Sequence, residues 1–465
     1  MRPFFLLVLI LRAAKHYSPP ASPDSRPLAS SHTAPGSTSP VTRPLRRYPR
    51  KLRSFFTRLS CYVFGKTWVE EVLGKPTLFI EIQPRKNSRP ECPVCGRKRP
   101  VYDTSRKVRE FDHLPLWIYR VVFHYAPRRV DCPIDGVCVE WIPWAEGKER
   151  MTSRYKLFLA RWARRLSWSE TAQVFETSWG CVFRAVQSVV DYGLAHRSLE
   201  GVTQIGVDEI AVFRGHKYLA MVYQLDAGFR RLLWCGPERR VKTLLRFFRM
   251  FGKERSEKLR FICSDMWAPY LKVIAKKAPQ ALNILDRFHI MKKFGDAIDQ
   301  TRRQEIAAFK KAGEGNLLEN GRWSLLKRPE NLSEKQTVRL SELLKLNLST
   351  VRAYLLREDF QRFWTFSDTA VAGWFLDTWC SRTMRSRLEP MKKVAKMLRR
   401  HKPMILNWFA AGGTLSSGAV EGLNLKAKLA MRKAYGFKSL DSLQVALYHT
   451  LGNLPEPSEG THRFC

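Results

Sequence analysis

One stretch, from residue 202 to 291, constrains the fold more than any other. Apolar runs of strand length recur in it between Gly or charged breaks: TQIGVDEIAVF, HKYLAMVYQLD, RRLLWCG, LRFICSD and ALNILDRFH. The first three, at 203–213, 218–225 and 231–235, can pair as a meander. A helix-length segment over 241–251 follows, and then strand-like runs at 260–263 and 282–285. Between those two, a short helix begins near Pro269, where a first-turn proline is tolerated. Three strands followed by alternating helices and strands predict an α/β fold with a mixed sheet.

Two acids sit where such a sheet presents functional groups. Asp208 interrupts an otherwise apolar strand, and Asp265 lies just past the end of the fourth. An unpaired buried carboxylate costs several kcal/mol, so each needs a reason. Asp265 is either a helix N-cap or a ligand. Acids on neighbouring strands make an oxygen-lined pocket suited to Mg²⁺.

The charge narrows the partner. Lys+Arg number 81 against Asp+Glu 42, a formal net charge of +39, spread over every region past residue 40. This excess excludes an ordinary enzyme of small metabolites and implies a polyanion, most often nucleic acid. The 10 cysteines are unevenly scattered, which favours a reducing compartment over a disulfide scaffold.

Residues 1–50 read as a leader. MRPFFLLVLILRAA has an apolar core of signal-peptide length, too short to span a bilayer. The Pro-, Ser-, Thr- and Arg-rich run after it is expected to be disordered. A start codon placed too far upstream accounts for both pieces.

Residues 51–148 are expected to bind zinc. Cys92 and Cys95 form a CxxC, a spacing that lets two thiolates grip one Zn²⁺. Cys132 and Cys138 offer a second, wider pair, and Asp135 or His113 is an alternative fourth ligand. A strand is expected between the pairs, at 116–125. Residues 151–200 look helical and basic. A helix capped by Ser169, a turn at Glu176–Ser178 and a helix from Trp179 match a helix-turn-helix, or else an ordinary helical hairpin. Within the second helix, Arg184 and Gln187 lie i, i+3 and can reach bases, whereas Val182, Val186 and Val190 point inward.

From Asp286 to about Leu415 helical periodicity dominates, and Trp364, Trp374, Trp379 and Trp408 fall at core-compatible spacing. A Gly-rich break, AAGGTLSSG, then precedes a helix that Ser416 or Ser417 can cap. On it Glu421, Asn424 and Lys428 share a face, with Lys426, Arg432 and Lys433 beside it.

These residues carry a resemblance. In their order, GVDEIAVFRGHKYLAMVYQLD, CSDMWAPYLKVI, LDRFHIMKKFGDAIDQTRRQE, MRSRLEPMKKVAKMLRRH and SSGAVEGLNLKAKLAMRKAYGF resemble the ISL-type DDE transposases of bacterial insertion sequences. The likeness runs from about residue 55 to the C-terminus. It implies an RNase H-like catalytic domain over 202–465, with a helical insertion at about 290–415, an N-terminal zinc-ribbon-like region and a helix-turn-helix. Asp208, Asp265 and Glu421 would be the three catalytic acids holding Mg²⁺ or Mn²⁺, with Asp208 bridging two ions. Cys92, Cys95, Cys132 and Cys138 would hold Zn²⁺. This chain departs from the family at Asp135, where a Cys or His is usual. Lys426, Lys428, Arg432 and Lys433 would hold phosphates. The implied partner is double-stranded DNA, both element ends and target, bound by a homo-oligomer in the bacterial cytoplasm, at the nucleoid and away from membranes. The competing readings are a DNA-binding regulator with an inactive catalytic domain and a nuclease without strand transfer.

Overall fold

The computed structural model describes residues 61–457, apart from 214–216, 314, 316–317, 414–417, 435 and 438. The leader at 1–50 and the caps assigned to Ser416 and Ser417 lie outside the described residues.

Seven strands form two sheets at the N-terminal side. They are β1 (Tyr62–Val72), β2 (Lys75–Pro84), β3 (Val101–Thr104), β4 (Arg109–Leu116), β5 (Tyr119–Tyr125), β6 (Arg128–Cys132) and β7 (Gly136–Val139). The first sheet runs β1-β2-β5-β4 and the second β3-β6-β7. The single strand expected at 116–125 is in fact a hairpin, β4 and β5, that turns at Trp117, whose φ of 54° breaks the extended run. The β1–β2 hairpin closes through Leu73 and Gly74, at φ 54° and 74°, the left-handed pair a two-residue hairpin requires. One buried carboxylate organises this region. Glu140 accepts from Arg128 Nη2 at 2.7 Å, from the Arg128 backbone amide at 2.7 Å and from the Tyr125 hydroxyl, so its charge is fully partnered.

Three helices follow, α1 (Ser153–Ala163), α2 (Trp168–Val174) and α3 (Trp179–His196). Ser167, not Ser169, caps α2. Its side chain accepts from the Glu170 amide, while Glu170 reaches back to the Ser167 amide, a reciprocal capping box. Ser178 caps α3, which at 18 residues is longer than a short recognition helix. Its Val182, Val186 and Val190 are buried, as their spacing implies.

The second half holds a five-stranded mixed sheet: β8 (Gln204–Phe213), β9 (Lys217–Gln224), β10 (Arg231–Pro237), β11 (Phe261–Ser264) and β12 (Leu282–Leu285). Its order is β10-β9-β8-β11-β12, with an antiparallel meander on one side of β8 and two parallel strands on the other. Helices α4 (Val241–Phe251), α5 (Lys253–Glu257) and α6 (Ala268–Lys277) connect these strands, with Pro269 in the first turn of α6. A helical block follows: α7 (Arg287–Ala312), α8 (Arg322–Leu326), α9 (Glu334–Leu344), α10 (Ser349–Gln361), α11 (Thr369–Met384) and α12 (Glu389–Ala410). Trp364 and Trp379 are in its core, but Trp374 is 69% exposed. Five residues on a helix turn through about 140°, so Trp374 cannot share the buried face of Trp379.

The chain ends with α13 (Gly418–Lys433) and α14 (Leu440–Leu451). Val445, Ala446 and Leu454 pack in one cluster with Val182, Val186 and Trp168, so α1–α3 share a core with the C-terminal end. Among the described residues no helix is long and apolar enough to cross a membrane.

Two buried histidines make stability pH-dependent. Burial above all, then nearby cations, pushes His113 and His449 each down to about 3. Their unfolded value is about 6.5, so below that pH the unfolded chain takes up protons the folded chain refuses. Stability should therefore fall as pH drops from about 6.5 toward 3, by at most about 3 kcal/mol per pH unit for the pair. Above that window the pair adds no slope. Urea midpoints at pH 7.5, 6 and 5 measure this, and equal midpoints would reject it.

Candidate functional site

The sheet aligns three acids. Val207, Ser264 and Leu285 are level across β8, β11 and β12, and the residues that directly follow them are Asp208 within β8 and Asp265 and Asp286 just past the ends of β11 and β12. Parallel strands entering one sheet edge bring these carboxylates together from positions far apart in the chain. Asp208 and Asp265 were expected from the sequence, and Asp286 was not. The signal was nonetheless present: LNILD repeats the pattern of FICSD, an acid directly after a short apolar strand.

Each carboxylate has a defined environment. Asp208 is 12% exposed; its Oδ1 accepts from the Glu209 amide at 2.8 Å and its Oδ2 from Asn424 Nδ2 at 2.6 Å. Burial raises its pKa above the ordinary carboxylate range. Asp265 Oδ1 accepts from the Trp267 amide at 3.0 Å, and its Oδ2 pairs with Arg239. The helix N-cap itself is Trp267, so Asp265 tethers the turn ahead of α6 rather than capping it. Arg239 also pairs with Glu209 at 3.1 Å and lies 4.7 Å over the Trp267 ring. Glu209 is pushed up to about 7, first by burial and next by the Asp265 carboxylate. Asp286 accepts from the Phe288 amide at 2.7 Å and from His289 Nδ1 at 3.0 Å.

Helix α13 brings Glu421 to the same edge. The helix packs on β8 at Gly206, where a Cβ would meet Val420 Cγ2 at 2.5 Å, so only glycine permits this approach. One turn on, Asn424 is fixed in orientation, because its Oδ1 accepts from the Tyr223 hydroxyl at 2.7 Å while its amide donates to Asp208. Glu421 lies in the first turn of α13. Its charge, with those of Asp286 and Asp208, adds to burial in raising the Cys263 thiol on β11. Lys426, Lys428 and Arg432 are exposed on α13, whereas Lys433 donates to the Arg164 carbonyl at 3.1 Å, turned toward α1.

A second cluster lies between the two knuckle-like turns of the N-terminal region. Cys92, Cys95, Cys132 and Asp135 place one ligand atom each within 4.8 Å of one another, the only such group among the described residues. Cys95 and Cys132 Sγ are 3.7 Å apart, and Asp135 Oδ2 is 3.3 Å from both Cys92 and Cys132. Tetrahedral Zn²⁺ with Zn–S of about 2.3 Å needs a sulfur–sulfur edge of about 3.8 Å, so the donor set fits zinc. The two turns repeat each other: Cys92-Pro-Val-Cys95-Gly96 and Cys132-Pro-Ile-Asp135-Gly136, with both glycines at positive φ, 66° and 70°. Asp135 thus occupies the position of a second knuckle cysteine. Cys138 falls outside the group, although its Sγ is 3.7 Å from that of Cys92. His113 does not approach the cluster. It bonds Thr152 Oγ1 at 2.9 Å and stacks on Phe123 in the other sheet.

On α3, Arg184 is exposed and Gln187 half-buried, its amide donating to Asp191 at 2.7 Å. Both line a cleft with Arg150, Arg154 and Lys156.

A transposase family model of the ISL3 DDE type matches residues 205–447. The chain is also 29% identical over 409 residues to the transposase for insertion sequence element IS1557 of Mycobacterium tuberculosis (strain CDC 1551 / Oshkosh), which covers 83% of this chain and 91% of that protein. It is 28% identical over 352 residues to the transposase for insertion sequence element IS1001 of Bordetella parapertussis, over 75% of this chain and 85% of that one.

Proposed function

Because this chain belongs to the ISL3-type transposases of bacterial insertion sequences, we propose that it binds the ends of such an element and catalyses metal-dependent DNA strand cleavage and strand transfer. The observation that carries the reading is the pair Asp208 in β8 and Asp265 just past the end of the adjacent parallel strand β11, with the Glu421 helix tied to Asp208 through Asn424. A mixed sheet of order β10-β9-β8-β11-β12 supports an RNase H-like domain, with α7 to α12 as its helical insertion.

The oxygen-only donor set of Asp208, Asp265 and Glu421 fits hard divalent ions. When bound, Mg²⁺ or Mn²⁺ would ease deprotonation of the attacking water or 3′-OH and stabilise the leaving 3′-oxygen of an in-line phosphoryl displacement. The remaining work belongs to the chain itself. Arg239 pairs with both Asp265 and Glu209 and offsets their mutual repulsion. Tyr223 and Asn424 orient the Asp208 carboxyl and fix α13 beside it. Exposed Lys426, Lys428 and Arg432 hold phosphates of the strand to be cut. Zn²⁺ on Cys92, Cys95, Cys132 and Asp135 would staple the small sheet.

Incubating the protein with Mg²⁺, a duplex carrying an element end and a target plasmid tests the whole reading. Nicked ends joined covalently to the plasmid are expected. Nicking without any joined product would leave a nuclease, and binding with neither would leave a regulator.

End recognition belongs to α3 in this proposal. Non-specific binding should weaken by orders of magnitude between low and moderate salt, because the cation excess releases counterions from DNA. Replacing Arg184 and Gln187 with Ala should cut the preference for end over scrambled duplex by about tenfold or more, leaving salt-sensitive binding in place. An unchanged ratio in competition binding would move the reader elsewhere.

A further inference from the structure

The mixed sheet has two faces, and the chemistry described so far uses one of them. Val207 and Val222 point to one side, where they pack with Leu244 of α4 and Ile274 of α6. Met221 and Tyr223 point to the other, where they pack with Leu423 of α13 and Leu447 of α14. Helix α14 in turn shares a core with α1–α3. The helix assigned to end recognition and the cations assigned to the cut strand therefore lie on the α13 side. On the opposite side a groove runs between α4 and α6. Both helices start at the catalytic edge. Strand β10 ends level with Ile210, two residues past Asp208, and leads into α4, while α6 starts three residues after Asp265. The groove thus leads away from the acids along the face that the end duplex leaves open. Five exposed cations line it, Arg249, Lys253, Lys272, Lys276 and Lys277. The one acid in its lining, Glu257, meets Lys253 at 3.8 Å. Among the described residues no carboxylate pairs with the other four cations. Lys272 and Lys276 stand one turn apart on α6, where like charges repel. A polyanion laid along the groove relieves that repulsion.

We propose that the α4–α6 groove is the docking surface for the target duplex, with Arg249, Lys253, Lys272, Lys276 and Lys277 on its phosphates. This rests on the strand-transfer reading above. Strand transfer brings a second duplex to the acids that cut the first, and two duplexes cannot occupy one face of a sheet at the same edge. The α13 face holds the end, so the α4–α6 face receives the target. The dimensions agree. From the start of α6 to Lys277 is about 14 Å along the helix, a length over which duplex DNA presents about eight phosphate charges. Phosphate contacts carry no base code, which suits a surface that must accept many target sequences.

Arg249→Ala, Lys272→Ala and Lys276→Ala, combined in one variant, test the surface, because alanine at exposed helical positions keeps the helices. The full chain is loaded with end duplex without Mg²⁺, and a labelled duplex lacking the end sequence is titrated in. The variant should capture that second duplex about tenfold or more weaker at low salt, and the slope of log affinity against log salt should fall by about two to three. Lys272→Arg with Lys276→Arg should capture it as wild type does. With Mg²⁺ and a target plasmid, the Ala variant should nick the end duplex within about twofold of wild type, yet yield about tenfold less joined product. Wild-type capture in the Ala variant, or nicking that falls as far as joining, would overturn the proposal. So would dissociation of an oligomer in sedimentation of the free variant, which would make the occupant a second copy of the chain. A second measurement needs no substitution. Acetic anhydride should acetylate Lys272, Lys276 and Lys277 in the end-bound protein, and the second duplex should protect them, as read by peptide mass. Undiminished acetylation would reject the contact. A wild-type protein that protects these lysines yet joins nothing would keep the surface and refute strand transfer instead.

Discussion

Asp208→Asn, Asp265→Asn and Glu421→Gln should each lower strand nicking by about a thousandfold or more, the scale expected for losing an ion-held carboxylate at the reacting phosphate. Affinity for end duplex should stay close to that of wild type, because the cations proposed to meet phosphate are elsewhere. The physical ground is charge. Each change removes a negative charge and keeps the shape, so the packing around the site survives. An asparagine at 208 still offers an oxygen to the Glu209 amide, although it gives up the bond from Asn424, and at 265 it still offers one to the Trp267 amide. Arg239 retains Glu209 as its partner when Asp265 is neutralised, so no buried cation is stranded. Nicking and gel shift on the same preparations make the comparison, with melting temperature as the control for folding. A variant that nicks at the wild-type rate takes its residue out of the site.

Zinc removal should have the second large effect. Purified protein is expected to carry about one equivalent, and chelation should loosen residues 85–145, because structural zinc contributes on the order of 10 kcal/mol of folding free energy. The loosened segment should lose hydrogen-exchange protection while the mixed sheet, with its own buried cluster, keeps it. Asp135→Ala should weaken zinc binding more than Cys138→Ser, because Asp135 fills the second-knuckle position and shares the group of four. Asp135→Cys should tighten it, since a thiolate is the softer ligand. Elemental analysis that finds no zinc in protein from zinc-replete cells would sink the site. A greater loss in Cys138→Ser would instead make Cys138 the fourth ligand.

What the sequence determined by itself is local. Period-two and unbroken apolar runs mark the strands of the mixed sheet to within a residue or two, because a buried strand must be apolar wherever it lies in the chain. The same runs expose Asp208 and Asp265, since a charge that interrupts or ends an apolar run stands out without any partner in view. The meander of the first three strands was legible too, since short connections favour pairing of neighbours, whereas the placing of β11 and β12 on the other side of β8 was not. Ser169 was a plausible cap for the same local reason, and the reciprocal Ser167–Glu170 pair prevailed because it satisfies two orphan amides.

What only the tertiary structure decided depends on residues distant in the chain. Glu140 looks like an ordinary surface acid until Arg128, Tyr62 and Tyr125 close around it. Asn424 shares a helix face with Glu421 in the sequence, but its hold on Asp208 spans 216 positions. Lys433 reads as a phosphate contact, and packing turns it to the carbonyl of Arg164. Asp135 and Cys138 are chemically reasonable alternatives in one short loop, and it is the backbone turn at Gly136 that carries Asp135 into the cluster. The row of Asp208, Asp265 and Asp286 exists because parallel pairing sets three strands level. A parallel register is created between segments joined by helices, and no local pattern encodes it.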